Sequence, residues 1–232
     1  MNLRVILLVF VIFIFAVGFG VMSYSESLGI PLKQAYDNGK VTVVQNTTAG
    51  TIPHVITIKN NDTKPVKVQK GDILKSNSSQ DLVIAENSNI PKNSTENINA
   101  YCFEPTQQAV AGAKLQPSTN TASSQIKQII TDSNPSDIQN ATSAQLQIWT
   151  VVSGGNLTIY SGEPAALVDK RGITFSKLRQ ELTDAKSSVM SMFNVTSDGL
   201  NNLAQNNTTT SSGDIQSLFN GFIDWVKGSL GI

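Results

Sequence analysis

The repeat of apolar residues along this chain changes once, near residue 123, from a period of two to a period near 3.6. A period of two is typical of β-strands with one buried face, and a period near 3.6 is typical of helices. Six short runs upstream predict strands separated by Asn, Ser, Gly and Pro residues: 41–44, 54–59, 66–68, 73–74, 81–85 and 96–103. Strands this short and closely spaced favour an antiparallel, sandwich-like sheet.

Downstream of residue 123, the apolar residues recur at helical spacing. One helix is predicted from residue 123 and a second over 143–152. The clearest helix covers 175–192, where the apolar positions follow a heptad pattern. We expect these helices to pack on the sheet or on each other, and the alternative is self-association through the 175–192 helix. The predicted fold class is α+β, an antiparallel sandwich-like sheet followed by helices packed on it.

The first residues of the chain indicate its cellular compartment. Residues 5–22 form an uninterrupted run of eighteen apolar residues, long enough to span a bilayer and longer than the usual core of a signal peptide. This run predicts an N-terminal hydrophobic helix, and Arg4 before it favours an orientation that places the rest of the chain outside. The expected location is the extracellular face of the cell membrane, or the medium if the leader is cleaved.

These patterns divide the chain into four segments. Residues 1–25 are predicted to be a signal peptide or membrane anchor, 26–40 a linker, 41–160 a β-rich domain with two helices, and 161–232 a helical C-terminal region. The exported part is long enough for one domain, or for one domain with an appendage.

Sequons of the form Asn-x-Ser/Thr, the acceptor sites of N-glycosylation, occur nine times in the chain. Their asparagines are Asn46, Asn61, Asn77, Asn93, Asn140, Asn156, Asn194, Asn206 and Asn207. If they carry sugar, these positions lie on the surface of an exported glycoprotein. The alternative is a polar surface rich in Asn and Thr that carries no sugar.

Charge and composition argue against several classes of function. Seventeen basic and seventeen acidic residues cancel, so the chain lacks the basic surface that binding to nucleic acid requires. His54 is the only histidine and has no identifiable nucleophile partner, which argues against a hydrolase triad and against a zinc site. We therefore expect a protein that is not an enzyme and that holds no metal and no cofactor.

Cys102 is the only cysteine, so an exported chain carries a thiol that has no internal disulfide partner. On the strand 96–103 it shares a face with Ala100, which predicts that it points inward. Gln145 shares a helix face with Trp149 and is also predicted to point inward. A buried carboxamide without partners costs about 1–3 kcal/mol. Its partner is either the Cys102 thiol, which could displace ammonia to form a thioester, or the backbone.

The same residues resemble the thioester domains of bacterial surface adhesins. Tyr101-Cys102-Phe103 is similar to the cysteine motif of that family, and Gln145 is similar to the glutamine of its later helical motif. The resemblance implies that Cys102 and Gln145 form the thioester within residues 41–160. Four flanking residues would support the motifs: Tyr101, Phe103, Ile148 and Trp149.

The resemblance also implies a function. The chain would be an exported, membrane-anchored surface protein with residues 5–22 in the membrane, and its thioester would attach covalently to amines or hydroxyls. The expected partner is an extracellular protein or glycan ligand. The alternative is a structural or non-covalent binding module of the cell envelope that has no reactive bond.

Overall fold

The structure, a computed structural model, describes residues 29–210. Within this range the chain folds into two sheets and a layer of helices, and most strand pairs are antiparallel. The predicted α+β class, with antiparallel sheets and helices, is therefore confirmed. The predicted N-terminal hydrophobic helix lies outside the described residues. No helix within the described range has both the length and the apolar character that a membrane crossing requires.

Seven strands, numbered in chain order, form the larger sheet, and all of its strand pairs are antiparallel. In spatial order they are β10 (Thr208–Thr210), β9 (Gln116–Ala122), β5 (Asp72–Lys75), β6 (Leu82–Ile84), β8 (Thr95–Cys102), β3 (His54–Asn60) and β2 (Val41–Gln45). The smaller sheet consists of β1 (Ile30–Pro31), β4 (Val66–Val68) and β7 (Ser88–Ile90), and its β1–β4 pair is parallel.

The larger sheet is buried on both faces at β6, whereas β2, β3 and the first half of β8 expose residues on one face. In β6, Leu82 and Ile84 lie in one core and Val83 lies in the other. The first core joins the two sheets and includes Val66 and Ile90 of the smaller sheet. The second core lies beneath the helices. The larger sheet is therefore the central layer of the fold, which explains why β6 is apolar at every position.

The helices of the described range are α1 (Leu32–Asp37), α2 (Ser124–Asp132), α3 (Ile138–Val152), α4 (Gly162–Arg171), α5 (Phe175–Phe193) and α6 (Ser197–Gln205). Helix α3 begins earlier than the predicted residue 143, because the Asp137 side chain accepts hydrogen bonds from the N–H groups of Gln139 and Asn140. Helix α4 ends at Gly172, which adopts the left-handed conformation that favours glycine.

The apolar seam of α5 is used within the chain itself. Leu178, Ala185 and Val189 are buried in the core beneath the helices, where α5 packs along α3. The prediction of self-association through the 175–192 helix is therefore wrong, because the side chains that would meet a second copy are already covered.

Two segments fold in ways that the sequence patterns did not indicate. Residues 30–37, inside the predicted linker 26–40, form β1 and α1, and Leu32 and Ala35 of α1 are buried in the core between the sheets. Strand β9 has a polar sequence and is positioned by pairing with β5 on one side and β10 on the other. In both cases contacts distant in sequence decide the local structure.

Candidate functional site

The structure brings Cys102 and Gln145 together. Cys102 ends β8, Gln145 lies on α3, and both are completely buried. The Cys102 N–H donates to Gln145 Oε1 at 2.7 Å, and Gln145 Nε2 donates to the Cys102 carbonyl oxygen at 2.9 Å. The side-chain amide therefore pairs with the Cys102 backbone as a neighbouring strand would. We call this pair of hydrogen bonds the Gln145 clasp.

The Cys102 thiol is poorly suited to act as a nucleophile. Burial raises its pKa well above 9.0, and the charge of Glu163 acts in the same direction, while the Trp149 indole and the Glu104 backbone act against them. A thiol with a raised pKa stays protonated near neutral pH, and the thiolate is the reactive form. Cys102 is therefore a buried neutral side chain whose backbone, rather than its sulfur, meets the glutamine.

The four flanking motif residues belong to the core around the clasp. Tyr101, Ile148 and Trp149 are completely buried, and Phe103 packs against the same core as a partly buried residue. The Tyr101 hydroxyl is 3.0 Å from the Ser133 hydroxyl oxygen. These contacts attach β8 to the helical layer.

A second buried polar cluster surrounds His54 at the start of β3. Its other members are Gln45, Ser79, Gln80 and Glu163, and none of the five is more than 1% exposed. His54 Nε2 lies 3.1 Å from Glu163 Oε1, and the Ser79 hydroxyl donates to Gln45 Oε1 at 2.8 Å. A buried polar group is costly unless it is hydrogen-bonded, and the members of this cluster supply most of each other's hydrogen bonds.

The hydrogen bonds of His54 assign the position of its ring proton. Nδ1 lies 3.0 Å from the Thr47 hydroxyl and 3.4 Å from Gln45 Nε2. The Thr47 hydroxyl already accepts from the Val55 N–H, so its own proton is available to the ring. Because the Gln45 amide nitrogen can only donate, we assign Nδ1 as the acceptor, so that Nε2–H donates a hydrogen bond to Glu163 Oε1.

Gln80 completes the surroundings of this ring nitrogen. Its amide nitrogen is placed 2.7 Å from His54 Nε2, and its amide oxygen has no hydrogen-bond partner among the described residues. A protonated ring nitrogen needs an acceptor, so we assign the Gln80 oxygen to the position nearest the ring. The ring N–H is then shared between Gln80 and Glu163.

Glu163 connects three separate segments of the chain. Its Oε1 accepts from the Gly50 N–H at 2.7 Å, and its Oε2 accepts from the Ala109 N–H at 3.1 Å. Gly50 has a φ of +73°, and a Cβ built there would lie 2.3 Å from the Ala166 carbonyl oxygen. Only glycine allows this close approach. The carboxylate thus fixes the turn before β3 and the loop after β8 to the start of α4.

The sequence patterns did not identify Glu163. It follows Ser161 and Gly162 in the first turn of α4, where an acidic residue is ordinary and usually exposed. In the described part of the chain, no group of three or more His, Cys, Asp or Glu side chains is arranged to hold a metal ion. The polar groups of the two buried clusters are directed mainly at the backbone and at one another.

Two grooves of the described surface lie on opposite sides of α5. The acidic groove lies between α3 and α5, has a volume of about 570 Å³, and is lined by Glu181 and Asp184. Arg171 in this groove forms an ion pair with Glu181, with 2.6 Å between Arg171 Nη1 and Glu181 Oε2. The basic groove has a volume of about 470 Å³ and is lined by Arg179 and Lys186. No described residue that lines the basic groove is Asp or Glu.

An exposed aromatic residue stands at the edge of the basic groove. Tyr160 is 62% exposed, and its ring centroid lies 5.0 Å from that of Phe175. The Tyr160 hydroxyl accepts a hydrogen bond from the Arg179 guanidinium. Within residues 29–210, neither Arg179 nor Lys186 has a carboxylate within 4.0 Å. The groove thus combines an aromatic edge with two cations that lack an ion-pair partner there.

All nine sequon asparagines lie in the described part of the chain. Eight of them are exposed, and Asn207 is partly buried. Asn93 and Asn194 adopt positive φ angles of 52° and 50°, which asparagine tolerates better than most residues. Glycosylation at these positions stays a prediction.

Comparison with known proteins gives one family. The family model described as ARPP-1, the ARG and Rhodanese-Phosphatase-superfamily-associated Protein domain, matches residues 8–200. No curated protein and no solved structure matches the chain.

The family match overturns the adhesin interpretation. The resemblance to thioester-domain adhesins is wrong, because the model that matches most of the chain describes a different family. The predicted surface protein with a Cys102–Gln145 thioester, and its envelope-module alternative, are wrong for the same reason. The predicted partners, a membrane contacted through residues 5–22 and an extracellular protein or glycan ligand, are also wrong. Residues 5–22 themselves lie outside the described residues.

Proposed function

The chain belongs to the ARPP-1 family, and we propose that it is a non-enzymatic domain that acts by binding another protein. The family description names association with ARG and with the rhodanese-phosphatase superfamily. We propose a member of that superfamily as the partner. The chain would then contribute a binding surface, and the partner would contribute any chemistry.

The observation that carries this proposal is that the side chains of the two polar clusters that could act as acid, base or nucleophile are buried. His54, Cys102 and Glu163 are each at most 1% exposed. General acids, bases and nucleophiles must come within hydrogen-bonding reach of a substrate. His54 and Glu163 instead bond to each other and to Thr47, Gly50 and Ala109.

The shape of the open surface also supports binding. Helix α5 separates two open grooves, and their volumes of about 570 and 470 Å³ leave room for several side chains of a partner. Side-chain anchors placed in grooves beside a helix are a recurring mode of protein recognition. The partly exposed surface of α5 is therefore the part of the described chain that we assign to the partner.

Binding and turnover can be measured separately. We expect the full chain to bind a rhodanese-phosphatase superfamily protein of the same genome saturably in isothermal titration calorimetry. We expect the chain alone to release no phosphate from p-nitrophenyl phosphate and to transfer no sulfur from thiosulfate to cyanide. Turnover by the chain alone that is lost in Cys102→Ala would contradict the proposal, and so would failure to bind any such protein.

We propose in addition that the described domain faces the outside of the cell membrane, or is secreted if its leader is cleaved. The surface position of the sequon asparagines supports this location. The N-terminal hydrophobic helix and the sandwich arrangement of the two sheets belong to the same proposal, and the shared core between the sheets supports the latter. A mass decrease on treatment of the native protein with a glycan-removing enzyme is the expected result.

A further inference from the structure

Helix α5 separates its charges by side. Glu181 and Asp184 line the acidic groove, whereas Arg179 and Lys186 line the basic groove. Residues two positions apart on a helix project about 200° apart, so Arg179 and Lys186 lie opposite Glu181 and Asp184, while Lys177 lies on the acidic side, 4.0 Å from Glu181. The charge of the acidic groove is partly neutralised by Arg171, which is bonded to Glu181. The charge of the basic groove is not neutralised by any carboxylate of the described residues within 4.0 Å.

We infer that the basic groove binds an acidic segment of the partner protein, with one carboxylate on Arg179, one on Lys186, and apolar side chains between them. This inference rests on the proposed function and names the chemistry of the segment that occupies the groove. Opposite charges placed against each other favour the correct partner and speed its association.

The spacing of the two cations indicates the spacing of the acids. Arg179 and Lys186 are seven positions apart on α5, which corresponds to about 10 Å along the helix axis. A segment in the polyproline II conformation has three residues per turn and advances about 3.1 Å per residue, so acidic residues three positions apart lie on the same side of it and span about 9 Å. The two residues between them would then lie over the middle of the groove.

The lining of the groove includes apolar side chains. Leu157 and Leu182 are partly buried there, and the Tyr160–Phe175 ring pair forms one edge. The bond from Arg179 to the Tyr160 hydroxyl orients the guanidinium beside this edge. A guanidinium has five N–H donors, so others remain for a carboxylate. The groove therefore fits a segment in which two apolar residues separate two acids.

A short peptide tests this inference without the partner protein. The probe is a fluorescein-labelled peptide containing Glu-Leu-Val-Glu, and its control replaces both acids by Gln. We expect saturable binding of the probe to the full chain by fluorescence anisotropy, with the control peptide at least tenfold weaker. Increasing the salt from 50 to 300 mM should weaken probe binding severalfold, because exposed charges are screened.

Three charge reversals on α5 distinguish the two grooves. Lys186→Glu and Arg179→Glu should each weaken probe binding at least tenfold, whereas Asp184→Lys, the matched reversal in the acidic groove, should leave it within twofold. Circular dichroism of each variant checks that α5 is retained. Equal binding of the two peptides, or equal binding by Lys186→Glu and the unaltered chain, overturns the inference.

Measuring binding to the superfamily protein distinguishes failure of this inference from failure of the proposed function. If the superfamily protein binds Lys186→Glu as it binds the unaltered chain, the groove assignment fails and the proposed function stands. If the probe binds as expected and no superfamily protein binds, the proposed function fails and the groove remains a site for acidic peptides.

Discussion

The Gln145 clasp can be tested by replacing Gln145 with leucine. Leucine has a similar volume but neither accepts nor donates a hydrogen bond, so Gln145→Leu removes both bonds to the Cys102 backbone without leaving a large cavity. The Cys102 N–H and carbonyl groups then lose their side-chain partner in a position that water does not reach. The change isolates the hydrogen bonds from the packing.

The expected loss of stability follows from these two groups. A buried donor or acceptor left without a partner costs about 1–3 kcal/mol, which gives about 2–6 kcal/mol for the pair. Burying leucine in place of a carboxamide returns about 1–2 kcal/mol, since an apolar side chain gains from removal from water. Taken at the middle of each range, these two contributions lower the free energy of unfolding of Gln145→Leu by about 2.5 kcal/mol, a large fraction of the stability of an ordinary domain.

Urea unfolding followed by far-ultraviolet circular dichroism measures this change as a shift of the midpoint. Gln139→Leu is the matched control, because Gln139 lies on the same helix with an exposed side chain. The control should stay within about 0.5 kcal/mol of the unaltered chain, as surface substitutions usually do. A loss of less than about 0.5 kcal/mol for Gln145→Leu would show that the clasp does not attach α3 to β8.

Two further predictions concern the backbone beneath Glu163 and the buried thiol. Gly50→Ala should destabilise the fold by more than about 3 kcal/mol, because the added Cβ would lie 2.3 Å from the Ala166 carbonyl oxygen. Gly39 has a similar φ of +67° but open space around it, so Gly39→Ala should cost only about 1 kcal/mol. Thermal unfolding of both variants measures the difference, and equal losses would contradict the role of close approach at Gly50. Burial raises the pKa of the Cys102 thiol above 9.0, so the folded state keeps the thiol proton at a pH at which the unfolded state has released it. The free energy of unfolding should therefore fall as the pH rises above 9.0. Urea midpoints between pH 8 and pH 10 should fall more steeply for the unaltered chain than for Cys102→Ala, and parallel slopes would contradict the assigned shift.

The strands and helices that carry a regular apolar period could be predicted from the sequence. His54–Asn60 and Thr95–Cys102 alternate along their length, and Phe175–Phe193 repeats at helical spacing. The polar strand Gln116–Ala122 has no such period and could not be predicted. It is held extended by pairing with β5 and β10. The heptad pattern of α5 indicated an apolar face correctly but not what covers that face, and the chain's own core covers it.

The candidate site could be predicted only in part. The inward orientation of Gln145 follows from the helical period, and its burial agrees with that expectation. The motif comparison favoured the Cys102 sulfur as its partner, and the structure instead places the Cys102 backbone there. Motifs of a few common residue types do not distinguish a sulfur from the backbone of the same residue, since both lie within reach of one side chain.

By itself, the sequence determined the class of the fold and the buried side of its regular elements, because these depend on residues within a few positions of one another. The tertiary structure alone decided which polar groups meet. Gln145 is 43 positions from Cys102, and Glu163 is 113 positions from Gly50. No local pattern encodes such pairs, because they form only when the sheet and the helical layer pack together and exclude water from the groups between them.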